Sequence, residues 1–274
     1  MKAPDDVGFD RLTRRISEVA GLSTEAYKPR CLRRRIAVRM RAHNVTSYED
    51  YLAILDRTPD ELQKLSDALT INVTKFFRNP ELWQLLREKI LPPLWNNGGR
   101  PLRVWSAGCA SGEEPYTLAM LFAETAVEAG HREWMKRLVI DATDIDRVCL
   151  ERARVGSYPP GVFSETPPGY VDRYTEPAKD GGRMVTDEIR RAVQVNRLDL
   201  TRDAPRHPPY DLIVCRNVLI YFDRAMQERL FALFADGLRP GGFLVLGKVE
   251  TILGPTRDRL EMVDARERVY RRPS

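Results

Sequence analysis

The apolar positions of the first hundred residues repeat at helical spacing. Phe9, Leu12, Ile16 and Val19 fall three or four apart, which marks one face of an amphipathic helix. A second helix is predicted over about 30–42, with Leu32, Ile36 and Met40 on one face and Arg30, Arg34 and Arg41 opposite. Ser47 suits the N-cap of a helix through Leu55, and Thr58-Pro59 pairs a cap with a proline in the first turn. Asn79-Pro80 repeats that signal before a helix over 82–91, which Pro92-Pro93 is expected to end.

From Leu102 the pattern changes to short apolar runs alternating with helical stretches. Strands are expected at Leu102–Ser106, Leu138–Ala142, Val193–Val195, Leu212–Cys215 and Phe243–Leu246, with a last one near Arg268–Arg271. Helices are expected over Pro115–Ala129, Arg147–Val155 and Ala225–Leu238. Such alternation predicts an α/β fold whose parallel sheet is wrapped by helices. The proline- and glycine-rich stretch Gly156–Gly182 interrupts it as an insertion, and Arg239-Pro240-Gly241-Gly242 is a turn leading into the next strand.

Composition changes this picture little. The 274 residues are 43% hydrophobic and 30% charged, the profile of an ordinary globular protein long enough for one large and one smaller domain. A net charge of +5 suits a nucleic acid, a membrane surface or an acidic protein face equally. Cys31, Cys109, Cys149 and Cys215 are far apart and His43, His131 and His207 lack ligand spacing, so no metal is expected and a reducing cytosol is the expected setting. The first residues lack the apolar run of a signal peptide, and no run is long enough to insert in a membrane.

The chemistry concentrates in a few segments. In Val104 through Tyr116 a strand runs into a small-residue loop that opens a helix, and Gly108 and Gly112 let a ligand approach the backbone. Glu113 and Glu114 stand where a phosphate would otherwise sit; they repel a pyrophosphate, while one of them suits an ammonium group. The competing reading is that both merely favour the helix N-terminus. Asp144 follows the next strand, placed for ribose hydroxyls, but lies farther from Gly108 than the roughly 20 residues of a dinucleotide fingerprint, which argues against NAD. Asp144 or Asp146 is alternatively a helix cap. The Asn196 amide matches an adenine edge or a turn. The apolar strand at 211–215 breaks at Arg216-Asn217, as site positions at carboxyl strand ends do; Tyr221 then faces the reacting centre or packs in the core.

Four segments together give a specific resemblance: Asn72 through Arg78, Trp105 through Tyr116, Ala142 through Asp146, and Cys215 through Asp223. Over nearly its whole length the chain resembles the CheR-type chemotaxis receptor methyltransferases. The resemblance implies a class I (Rossmann-like) methyltransferase sheet with an N-terminal all-helical domain and a small antiparallel β insertion. It implies a receptor-docking domain over 1–75, a linker and connecting helix over 76–99, and a methyltransferase domain over 100–274 with its β-subdomain at about 157–192. The cofactor implied is S-adenosylmethionine, leaving as S-adenosylhomocysteine. Its expected contacts are Asn72, Thr74, Arg78, Ala107, Gly108, Glu114, Asp144, Asn196, Arg197, Leu198, Arg216 and Asn217, with Arg78 and Tyr221 near the transferred methyl group.

The implied activity is esterification of glutamate carboxylates on chemoreceptor cytoplasmic helices, by a cytoplasmic monomer recruited to receptor arrays. Such a carboxylate is already ionised, with an ordinary pKa near ~4.3, so no general base is required. Arg30, Arg34 and Arg41 are expected to dock the acidic receptor helix, against the plainer reading of a solvated face. The insertion around Glu176–Arg183 looks too short for binding a receptor tether peptide. One rival is a nucleic-acid methyltransferase, suggested by His207-Pro208-Pro209-Tyr210; the motif precedes its strand rather than following it, so no nucleic-acid partner is expected. The others are an adenosylmethionine-binding regulatory protein and a methyltransferase of another substrate.

Overall fold

The computed structural model describes residues 4–20, 22–69, 74–179 and 181–274. They fall into two compact units, one built from residues 1–71 with 221–227, the other from 72–220 with 228–274. Segment 76–99 therefore belongs with the sheet-bearing unit, and a short stretch late in the chain groups with the N-terminal helices.

The first unit contains α1 (Pro4–Ala20), α2 (Pro29–Ala42), α3 (Tyr48–Arg57) and α4 (Pro59–Leu69). Phe9, Leu12, Ile16, Leu32, Ile36 and Met40 are buried as their spacing predicts. Val19 is not; it lies in the last turn of α1, where the stripe is already complete, and is 46% exposed. Ser47 caps α3 by accepting the Asp50 N–H at 3.1 Å. Arginines of α2 divide by function. Arg33 reaches Asp5 and Asp6, Arg35 donates to the Ala68 carbonyl at 2.8 Å, and Arg39 forks onto Glu61. Arg30, Arg34 and Arg41 are exposed and have no carboxylate at ion-pair distance among the described residues.

Glu61, 1% exposed, is the polar centre of this unit. Arg39 donates Nε and Nη2 at 2.9 and 2.7 Å, Tyr51 donates its hydroxyl at 2.6 Å, and His43 Nε2 lies 2.8 Å away. Burial alone raises the carboxyl, but these partners outweigh it and hold Glu61 at about 2. A depressed folded value contributes stability above the unfolded value of ~4.3, about 3 kcal/mol here, lost as pH falls from there toward 2. Glu61→Gln is expected to remove most of that term at pH 7 and flatten the acid dependence. Hydrogen exchange of the α2–α4 amides, measured from pH 7 downward in the whole chain, checks it.

The second unit begins with α5 (Pro80–Leu85), a π-helical turn over Leu86–Ile90 and α6 (Leu91–Trp95). Pro92-Pro93 thus does not end the helix. The prolines occupy the first turn of α6, where no N–H is required, and the wider turn before them absorbs the missing bonds. Next come β1 (Leu102–Ala107), α7 (Glu113–Glu128), β2 (Leu138–Asp144) and α8 (Arg147–Val155). The insertion holds β3 (Ser157–Tyr158), α9 (Tyr170–Tyr174), β4 (Thr175–Pro177) and β5 (Arg183–Val185), and its strands pair antiparallel in the order β3-β5-β4. Then follow α10 (Asp187–Arg191), β6 (Val193–Arg197), β7 (Tyr210–Cys215), α11 (Arg224–Gly237), β8 (Leu238–Leu246), β9 (Glu261–Asp264) and β10 (Val269–Arg271).

The main sheet runs β6-β2-β1-β7-β8-β10-β9, parallel through β8 and antiparallel beyond. The Pro-Gly-Gly turn expected before the fifth strand lies within β8, as an irregularity between the Tyr210–Leu238 and Leu212–Phe243 pairs. β9 escaped the sequence pattern because Glu261, Met262 and Val263 are all exposed and leave no alternation to read. The order in which strands are added reverses between β1 and β7, and ligands of open α/β sheets bind outside the carboxyl ends of strands at such a switch.

Candidate active site

Two turns leave the sheet at this switch, one after β1 and one after β7. The first is pinned from beneath: Gly108 and Cys109 donate to the Thr143 carbonyl at 2.8 and 3.0 Å. Gly108 and Gly112 have φ of +84° and +99°, a backbone state that side chains disfavour. Asp144 closes this turn, accepting the Ala110 N–H at 2.8 Å on Oδ2 and the Asp146 N–H at 2.9 Å on Oδ1. Burial raises its carboxyl, against the pull of those N–H groups. Asp146 caps α8 through the Cys149 N–H at 3.0 Å, so the cap belongs to Asp146 and not to Asp144.

The two glutamates at the head of α7 part company. Glu113 is buried and takes both its bonds from Ser111 Oγ, at 3.0 and 2.8 Å, which makes it part of the helix start. Glu114 points the other way, accepting Ser106 Oγ at 2.9 Å and facing Arg216 Nη1 at 3.6 Å. Arg216 is the centre of the second turn. Its Nη2 donates to the Arg78 carbonyl at 3.1 Å and to Asn79 Oδ1 at 2.7 Å, and its guanidinium lies 5.2 Å from the Trp83 ring. Burial raises the Glu114 carboxyl and lowers Arg216, while each charge pulls the other back toward ionisation. The pair is therefore costly by itself and gains from a further polar partner.

Asn79, read from sequence as a helix cap, makes no cap bond; its side-chain oxygen serves Arg216 instead. The segment carrying it is anchored by Phe76 and Phe77. Phe76 stacks on Phe163 and donates its N–H to the Val162 carbonyl at 3.1 Å, and the Phe77 N–H reaches Thr117 Oγ1 at 3.1 Å. Trp83 Nε1 donates to the Arg78 carbonyl at 2.9 Å. Thr74 is half-buried at the start of this segment, and Asn72 lies outside the described residues. At the β6 end, Leu198 donates its N–H to the Asp144 carbonyl at 3.0 Å. The Asn196 amide bonds the Gln194 carbonyl at 3.3 Å, and Arg197 is exposed. Ala107 is buried at the last position of β1. Tyr221 belongs to the other unit, where Arg35 lies 5.5 Å from its ring and Lys28 donates its N–H to its carbonyl at 2.9 Å.

The sequence profile of the CheR methyltransferase SAM binding domain matches residues 72–269, and that of the CheR all-alpha domain matches 8–70. The chain belongs to the CheR methyltransferase family. A chemotaxis protein methyltransferase of Listeria monocytogenes is 35% identical over 244 residues, 89% of each chain. Chemotaxis protein methyltransferase 2 of Pseudomonas aeruginosa is 34% identical over 251 residues, 89% of this chain and 86% of its own. An uncharacterised 104.1 kDa protein of Rhodobacter capsulatus is 36% identical over 262 residues, and there the matched region is 93% of this chain but only 27% of the relative.

As a CheR-family member the chain is an S-adenosylmethionine-dependent methyltransferase, and the groups gathered at the switch suit that cofactor. The cofactor offers an ammonium, a carboxylate and ribose hydroxyls, and no phosphate. Glu114 supplies a largely shielded carboxylate, the glycine turn permits close approach, and Arg216 Nε is buried with no hydrogen-bond partner among the described residues. Trp83 and Asn79 hold Arg216, and Ser106 holds Glu114. Sequence reading missed all three in this role, and the only available signal was a small polar residue, Ser106, inside an otherwise apolar strand.

Proposed function

We propose that this enzyme esterifies glutamate side chains on the cytoplasmic helices of chemoreceptors. The observation that carries the reading is the match to chemotaxis methyltransferases across 89% of this chain, covering both the helical part and the cofactor part. Bound adenosylmethionine supplies an electrophilic sulfonium methyl group. The chain's task is alignment of an already ionised carboxylate, which accounts for a site built without a histidine base. In this reading Glu114, Asp144, Arg216 and Asn217 bind the cofactor, with Thr74, Ala107, Gly108, Asn196, Arg197 and Leu198 as flanking contacts. Arg78 orients the incoming carboxylate, and Tyr221 packs beside the reacting centre. Arg78 must hold the substrate loosely, because the ester product has lost the negative charge. Asn72 is retained as a cofactor contact on the family resemblance alone.

Arg30, Arg34 and Arg41 support docking of an acidic helix, because the inward arginines of α2 are already engaged while these three remain available to a partner. Incubation with labelled adenosylmethionine and receptor-bearing membranes is expected to give base-labile methyl esters that vanish when the receptor's glutamates become alanine. Label that survives mild base would overturn the reading. Reversing all three arginines to glutamate is expected to raise KM for receptor at least about tenfold at low salt, with the gap narrowing as salt screens it.

A further inference from the structure

Beneath the turn after β7 lies a carboxylate that the proposed chemistry does not use. Glu250 is 4% exposed and sits just past the end of β8. Its Oε2 accepts the Asn217 N–H at 3.0 Å and the Gly247 N–H at 2.7 Å, and its Oε1 accepts the Ile220 N–H at 3.3 Å. A buried carboxylate surrounded by main-chain donors fixes the path of the chain that supplies them. Asn217 adopts φ of +62°, a left-handed state that asparagine enters more readily than most residues. The approach is too close for substitution: a Cβ on Gly247 would stand 2.7 Å from Glu250 Oε2 and 2.9 Å from the Asn217 nitrogen.

This turn touches both sides of the cofactor site. Arg216, immediately before Asn217, holds Glu114, Asn79 and the Arg78 carbonyl. Val218, immediately after it, packs on Gly108 so tightly that a Cβ there would meet its Cγ2 at 2.4 Å. We infer that Glu250 is a positioning residue for methyl transfer: by gathering the N–H groups of residues 217, 220 and 247, it sets Arg216 and Asn217 against the cofactor and presses Val218 onto the glycine turn. Glu250 itself touches no reactant in this account. Its effect reaches cofactor affinity and methyl alignment through the wall it shapes. The inference rests on the reading that Arg216 binds the cofactor.

The test uses the full chain with Glu250→Gln, Glu250→Asp and Arg216→Ala, read by calorimetric titration with S-adenosylhomocysteine and by KM and kcat for adenosylmethionine. All measurements are made at a temperature where far-UV circular dichroism is native for each variant. Glutamine turns an N–H donor toward N–H donors, so Glu250→Gln is expected to weaken homocysteine-product binding by about tenfold or more, from the loss of one or two charge-assisted bonds. Both KM and kcat should worsen, because the wall sets position as well as affinity. Glu250→Asp keeps the charge but shortens the reach, so it should lose several-fold in affinity, less than Glu250→Gln. A merely structural glutamate would lower the melting temperature of both variants and leave Kd and KM at the wild-type values. Folded Glu250→Gln binding within twofold of wild type, with Arg216→Ala impaired, overturns the inference. Arg216→Ala binding normally overturns the reading beneath it instead. Should Glu250→Gln not fold, Glu250→Asp decides: affinity within twofold of wild type together with faster amide exchange over 216–220 rejects a positioning role, and a several-fold loss tracking that exchange supports it.

Discussion

Arg216→Ala is expected to weaken S-adenosylhomocysteine binding by about 100-fold or more and to cost about 3–5 kcal/mol of stability, the usual price of orphaning one member of a buried charge pair. Four partners converge on that side chain: the Glu114 carboxylate, the Asn79 amide oxygen, the Arg78 carbonyl and the Trp83 ring. Alanine leaves Glu114 buried without its counter-charge. Burial already raises that carboxyl, and losing the guanidinium raises it further, which disfavours the anion that the proposed ammonium contact requires. The Arg78 carbonyl keeps Trp83 Nε1 as a donor, but Asn79 loses the bond that its left-handed backbone presents.

Arg216→Lys separates charge from shape. Lysine keeps the cation but cannot serve a carboxylate, an amide and a carbonyl with one planar fork, nor lie flat against Trp83. Its affinity should fall between wild type and alanine, nearer to alanine. Calorimetric titration at a temperature where each variant is fully folded, with thermal melts alongside, separates the two effects. A lysine variant that binds like wild type would show that charge alone matters and that the planar fork contributes nothing.

How far this site could be read from sequence follows from how each residue is held. Gly108, Glu114, Asp144 and Arg216 were legible because strand, loop and helix are local in sequence, and polar residues at carboxyl strand ends break an apolar pattern that is easy to see. The parallel sheet followed from strand–helix alternation, and the insertion from the proline- and glycine-rich stretch that interrupts it. The residues alone did not separate Glu113 from Glu114, which the family resemblance singled out; in the structure Glu113 bonds Ser111, while Glu114 faces the turn after β7. Asn79 looked like a cap because Asn-Pro is a cap signal; its side chain went to an arginine 137 positions away, a pairing no local pattern carries. Glu250 was invisible for the same reason, as its partners are main-chain groups whose identity leaves no trace in sequence. The expectation for Asn72, Thr74 and Arg78 came from family resemblance alone, and the stretch carrying Arg78 is anchored by Phe76 and Phe77, which read simply as apolar residues.

Gly108→Ala is expected to abolish measurable cofactor binding at ordinary ligand concentrations, whereas Gly99→Ala is expected to leave it unchanged. Both glycines have positive φ, +84° and +76°, so each alanine incurs the left-handed backbone cost of about 1–2 kcal/mol. They differ in what surrounds the new methyl group. Nothing lies within 4 Å of a Cβ at Gly99, but at Gly108 it would stand 2.4 Å from Val218 Cγ2 and 3.4 Å from Val218 Cβ and Cγ1. Valine is short and branched at Cβ, so its methyl cannot swing aside as a long side chain would. Its backbone cannot retreat either, since Glu250 grips residues 217 and 220 on either side, and Gly108 is pinned to the Thr143 carbonyl. The clash therefore adds about 1–3 kcal/mol of overpacking to the backbone strain and pushes the glycine turn into the space the ligand needs. Val218→Ala removes the obstructing methyl groups. Combined with Gly108→Ala it should recover the overpacking term and leave the backbone term, a coupling that a double-mutant cycle on adenosylhomocysteine affinity and on melting temperature measures directly. Additive losses in that cycle would mean that the alanine acts through backbone strain alone, and that the wall after β7 does not bear on the turn after β1.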